Sequence, residues 1–151
     1  MRLPPRIAIM IESRDLFAAA FGMLIAIGAT TFAQSERATL RTAAFDWNEI
    51  PVRHEEVRSV REFFNAPTAT LEELAVHVTT LKPGDTSHAP HKHFNEELVI
   101  VKEGVVEAYV QGEYQRLGPG SVIFNASNEL HAIRNVGDEP ATYHVINWHP
   151  L

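Results

Sequence analysis

"HAPHKHFNEELVIVKEG", residues 88–104, decides how this chain is read. Three histidines fall within six positions, two glutamates follow, and an apolar run closes on Gly104. Residues two apart in a β-strand share a face. On that parity His91, His93 and Glu97 point the same way, and Val99 and Val101 continue the same side, which marks it as the buried one. A carboxylate entering an apolar interior without compensation is costly. A divalent cation resolves the conflict, because neutral imidazoles and a carboxylate are its usual donors. A further donor is available in His131, which lies in a second apolar run in step with Ile133 and Asn135. Two strands side by side in a small barrel would set it opposite the His91–His93 edge.

The surrounding pattern is all-β. "LEELAVHVTTL", residues 71–81, is rich in β-branched residues and stops at "KPGD". "EELVIVKEG" and "VVEAYVQG" each close on glycine, and "EYQRLGPG" turns into "SVIFNASNELHAIRNVG". "ATYHVINW", residues 141–148, is the last run. Short strands at regular spacing, punctuated by Gly and Pro, predict a sandwich or barrel. Residues 34–70 alternate only loosely and are expected to form an extension with short strands before a barrel spanning 71–151.

Composition narrows the function. The chain has 151 residues, a formal net charge of −6 and no basic stripe, so nucleic acid is not an expected partner. The absence of cysteine excludes disulfides, thiolate metal sites and cysteine nucleophiles. Residues 1–33 read as a signal peptide: Arg2, Arg6 and Arg14 precede the uncharged run Leu16–Ala29, and small Thr31 and Ala33 fall at the −3 and −1 positions of a cut before Gln34. Glu12 and Asp15 dilute the basic region, and a start at Met10 would shorten it. The run falls short of the roughly 20 residues a membrane span needs, so the chain is expected in the periplasm or secreted, and on a membrane only if the segment stays uncleaved.

"GDTSHAPHKHFNEELVIVKEG" resembles the first cupin motif, with Gly84, His91-x-His93, Glu97 and Gly104; the gap before His91 is one residue longer than usual. "GPGSVIFNASNELHAIRN" resembles the second, with Gly120, His131 and Asn135, and with Ala126-x-Asn128 where Pro-x-Gly is usual. Asn tolerates the left-handed conformation normally given to Gly, so that departure concerns the loop and not the ligand. The resemblance implies a double-stranded β-helix, the cupin jelly-roll barrel, with His91, His93, Glu97 and His131 on one divalent transition ion: iron, manganese, nickel or zinc. It also implies a homodimer, which would cover the open edges of a jelly roll.

Four protein donors on an ion preferring six leave two positions open, and one carboxylate leaves the centre near +1. Such a site suits an anionic small molecule, and the expected activity is of dioxygenase, isomerase or hydrolase type. The other reading is a non-catalytic module that binds a small molecule or metal. His88, in the loop before the motif, His144 and Tyr109 are candidate substrate contacts; if Asn147 faces solvent, His144 turns toward the cavity. His77 is expected to be a hydrogen-bonded strand residue, and Asn135 a structural one. No second carboxylate stands out as an acid–base partner.

Overall fold

The structure, a computed structural model, describes residues 38–151, so the segment read as a signal peptide lies outside the described residues. Within them run nine β-strands: β1 (Arg53–His54), β2 (Arg58–Ala66), β3 (Leu71–Leu81), β4 (Glu96–Glu103), β5 (Val106–Val110), β6 (Glu113–Leu117), β7 (Val122–Asn125), β8 (Ala132–Asn135) and β9 (Ala141–Pro150). Six form an antiparallel sheet in the order β1-β2-β3-β9-β4-β7, and three form a second in the order β6-β5-β8. This is the two-sheet, all-β arrangement of a jelly roll.

Alternation along the strands builds the core. In β4 Glu97, Val99 and Val101 are buried while their neighbours are not. Their cross-strand partners in β9, Asn147, Val145 and Tyr143, share that inner face. From the small sheet Val106, Ala108 and Ile133 join Leu81, Val99, Val101 and Tyr143 in one buried cluster. Each such valine contributes about 1.5–3 kcal/mol on full burial. Gly104 ends β4 at φ 79°, where an added Cβ would sit 2.6 Å from Ala141 Cα and 2.8 Å from Pro140 O. The turn therefore takes glycine for two reasons, conformation and space.

The segment before residue 71, expected as an extension with short strands, contributes β1 and β2 to the large sheet. β2 pairs with β3 from Arg58↔Leu81 to Ala66↔Leu74, so the large sheet begins well before residue 71. Opposed residues in an antiparallel pair share a face, which puts Arg58, Val60 and Glu62 inside with Leu81, Thr79 and His77. Two of those three inward positions carry charge, and the apolar signature of a strand is lost there. On the outer face Phe45 and Trp47 pack on β2: Phe45 lies 5.2 Å from Phe64, and Trp47 stacks under Arg61 at 4.6 Å.

Candidate metal centre

The two motifs meet backbone to backbone. His91 and His131 form an antiparallel bridge, with His91 N donating to His131 O at 3.0 Å and His131 N to His91 O at 2.9 Å. Their side chains therefore lie on one face. His91 and His93 stand just before β4 rather than within it, because the chain bends at Phe94–Asn95 before the strand starts at Glu96. Asn128 secures that lead-in, its N–H donating to His93 O at 2.8 Å from a left-handed φ of 62°. Ring centroids end 4.5 Å apart for His91–His131, 4.8 Å for His93–His131 and 5.4 Å for His91–His93. One nitrogen from each ring lies within 4.8 Å of the other two, a group able to hold a metal ion.

Hydrogen bonding prepares the rings for an ion. Nδ1 of His93 meets Asn95 O at 2.9 Å, and Nδ1 of His131 meets Glu129 O at 2.9 Å. A carbonyl only accepts, so both Nδ1 atoms carry the proton and both Nε2 atoms present lone pairs, as in a metal-bound imidazole whose other nitrogen is held by a carbonyl. Among the described residues, His131 Nε2 and His91 Nδ1 are buried with no hydrogen-bond partner. An orphaned buried acceptor costs about 1–3 kcal/mol. A cation beside His131 Nε2, which lies 3.9 Å from Glu97 Oε1, removes that cost there, so the residues fit a metal. Burial, followed by neighbouring His131 and His93, holds the His91 imidazole below its ordinary pKa, which keeps it neutral as a ligand must be.

Glu97 closes the group. Its Oε2 lies 3.7 Å from His93 Nε2 and its Oε1 3.9 Å from His131 Nε2. Asn125 Nδ2 on β7 donates to Oε1 at 2.9 Å, and Asn147 Nδ2 on β9 to Oε2 at 3.4 Å. The register sets both amides directly beside the carboxylate, which β4 carries between those strands. Two donors fix the carboxylate's orientation while leaving lone pairs directed at the histidines.

The histidines open on a cavity of about 320 Å³, at the small end for ligand pockets. His88 lines its mouth, its ring 4.1 Å from His91. Burial on that side, then His91 and Arg58, bring its pKa down to about 4. Two candidates fall elsewhere. Tyr143, Val145 and Asn147 line the cavity, so His144 occupies the opposite face of β9 and makes no contact with it. The premise that Asn147 faces solvent fails because the cavity itself is polar. Tyr109 points away from buried Ala108, its ring 5.2 Å from Tyr114, and is also outside the cavity. Asn135 is structural: its amide donates to Leu81 O at 3.2 Å and Glu139 O at 2.8 Å.

Sequence reasoning missed the opposite wall. Arg53, Arg58, Glu62 and His77 from β1–β3 and Tyr143 from β9 all line the cavity. His77 stands opposite Glu62 in the β2–β3 ladder, and burial lowers its pKa while Glu97 and Glu62 partly restore it. Burial pushes the Tyr143 phenol up to about 12, against the pull of the Ser87 and Thr79 hydroxyls. The signal for the arginine wall was the spacing Arg58-x-Val60-x-Glu62, one face of a strand with only one apolar member.

With this geometry in view, residues 77–147 match the Cupin_2 family, a cupin domain. No curated protein matches the chain in sequence. The Cupin_2 domain of an XRE family transcriptional regulator from Enterobacter cloacae is 26% identical, with a TM-score of 0.55 over 64% of this chain and 100% of that one. A sugar phosphate isomerase of the cupin superfamily from Silicibacter pomeroyi is 21% identical, TM-score 0.59, over 71% and 76%. A protein described as a predicted oxalate decarboxylase from Thermotoga maritima is 18% identical, TM-score 0.61, over 72% and 100%. Residues 77–147 are thus similar in sequence to a cupin domain, and the described residues share the fold of these solved cupin structures.

Proposed function

We propose, from the premise of a cupin barrel, that the chain is an exported metal-dependent enzyme acting on a small anionic molecule. His91, His93, His131 and Glu97 would hold one divalent transition ion: iron, manganese, nickel or zinc. The observation that carries this reading is the cluster of three imidazole nitrogens within 4.8 Å of one another, with His131 Nε2 buried and unpartnered beside a carboxylate already oriented by two amides. When bound, the ion supplies polarisation of a substrate oxygen or, for iron, dioxygen chemistry.

The rest of the work falls to the chain. Asn125 and Asn147 hold Glu97, and the carbonyls of Asn95 and Glu129 fix two of the rings. Neutral His77, across from Glu62, offers a proton acceptor within the cavity, the acid–base partner that the sequence did not reveal. Tyr143 stays protonated at neutral pH and can donate a hydrogen bond to substrate. The non-catalytic reading has its own support in the regulator domain from Enterobacter cloacae, a cupin domain attached to a transcriptional regulator. A screen of oxygen uptake and small-acid turnover, run on metal-loaded and chelator-stripped protein, separates the two. Turnover that vanishes with the metal supports the enzyme. Tight binding of small acids without turnover under any of the four metals supports the module.

A further inference from the structure

The first hairpin brings to the cavity mouth a cationic pair that the metal ligands do not require. Arg58 lies opposite Leu81 in the β2–β3 ladder and Arg53 opposite Val60 in the β1–β2 ladder, both on the inner face. Glu55 joins them: its Oε2 accepts from Arg58 Nε at 2.6 Å, and its Oε1 lies 3.2 Å from Arg53 Nη2. The two guanidiniums hold the Glu55 carboxyl below its usual range, Arg58 most strongly through its hydrogen bond. One carboxylate between two guanidiniums leaves a positive charge at the rim.

Arg58 is only partly engaged. Glu55 takes the Nε edge, and the remaining contact is a long 3.4 Å approach from Nη1 to Ser87 O. Nη2 has no protein acceptor among the described residues, although three quarters of the side chain is covered. A guanidinium offers five donors in a fixed fork and grips carboxylates in pairs. A hairpin clasp alone would need only the Nε bond and no inward position. The charge is also felt inside, since Arg58 lowers the pKa of both His77 and His88.

The distance from the metal group is set by β8. Ser87 N donates to Ile133 O, two residues along from His131. Two residues rise about 7 Å, which sets the Ser87 segment that Arg58 approaches apart from His131 and leaves room for a chain of atoms between a group at the histidines and one at Arg58. With a divalent ion in place, the ion and Glu97 leave one positive charge at the centre, and Arg53, Arg58 and Glu55 leave another at the rim, one for each end of a ligand, with Glu62 on the cavity wall.

We propose that Arg58, held by Glu55 and supported by Arg53, is the anchoring site for a second anionic group, so that the ligand is a short organic acid with two separated anionic ends. This rests on the metal-centred reading above and specifies its substrate class. The test uses the purified chain loaded with Co²⁺, whose visible spectrum reports ligands at the metal, titrated with acetate, butyrate, succinate and glutarate. Succinate or glutarate should bind roughly tenfold or more tightly than butyrate, the fold-change expected for a hydrogen-bonded charge pair. In Arg58→Gln that advantage should disappear while Co²⁺ still loads at one per chain. Arg58→Met keeps the apolar stem and gives the same readout if the glutamine variant does not fold. Dicarboxylates no tighter than butyrate, or an advantage that survives in both variants, would overturn the anchoring site alone. Failure of Co²⁺ to load, or a spectrum indifferent to every carboxylate, would overturn the metal-centred reading and the anchoring site with it.

Discussion

Single residues in this chain are held by different physics at positions that look alike in the sequence. Gly84 and Gly104 bracket the first motif and both take positive φ, 78° and 79°. A Cβ at Gly84 meets open space, whereas at Gly104 it collides with the Ala141 and Pro140 backbone. Gly84→Ala should therefore cost about 1–2 kcal/mol from conformation alone. Gly104→Ala should cost about 2–5 kcal/mol, since a clash in a packed region adds a further 1–3. Urea denaturation of the two variants checks the difference, and equal losses would contradict the packing argument. A similar contrast separates the polar residues around Glu97. Asn125→Leu removes a 2.9 Å bond to a buried carboxylate, so metal-free protein should lose about 1–3 kcal/mol. Asn147→Leu breaks a longer 3.4 Å contact and should cost less. Thermal denaturation of both variants in chelator is the check.

At the scale of elements, the strands that could be read were those whose inner faces meet the core. β3 runs from Leu71 to Leu81, the stretch expected, and Gly104 and Gly112 fall at the turns expected. β1 and β2 were obscure because their inner faces meet a polar cavity, where Arg58 and Glu62 replace the apolar residues that reveal a strand. The same inversion misled the reading of β9. Asn147 is polar and inward, so His144, with the opposite parity, sits on the outer face between Val78 and Ile100 of the adjoining strands. The histidines were legible from type and spacing, but the arginine wall comes from residues far away in sequence and needs the β1–β2–β3 pairing. His144 carries a testable consequence. Burial, then Lys102, lowers its pKa from 6.5, so the unfolded chain binds the proton more readily than the folded one. The contribution of neutral His144 is thus fully present above about pH 6.5 and declines as pH falls below it. His144→Gln should make the fall in melting temperature between pH 7 and pH 5 shallower than in the parent chain. An unchanged slope would place His144 outside the pH response.

At the scale of the molecule, the described residues enclose a polar cavity on the inner face of the large sheet and set apolar side chains on its outer face. Leu98, Ile100, Ile146 and Trp148 share the outer face of β4 and β9, and at the β7 edge Val122 and Phe124 are 58% and 53% exposed. Exposed apolar surface beside a strand edge that is unpaired among the described residues is what a second copy of the chain would cover. We expect a homodimer by light scattering at micromolar concentration, and a monomer on Phe124→Glu; a monomeric parent chain would contradict this. Export is a separate matter, checked by mass spectrometry for a mature chain beginning at Gln34. The central claim, that the two motifs assemble one metal site, is tested most directly by metal content per chain after purification. About one divalent transition ion per chain is expected in the parent protein and in His88→Ala, and a loss of stoichiometric metal in His93→Ala, Glu97→Ala and His131→Ala. Metal retained by His131→Ala and lost from His88→Ala would contradict it.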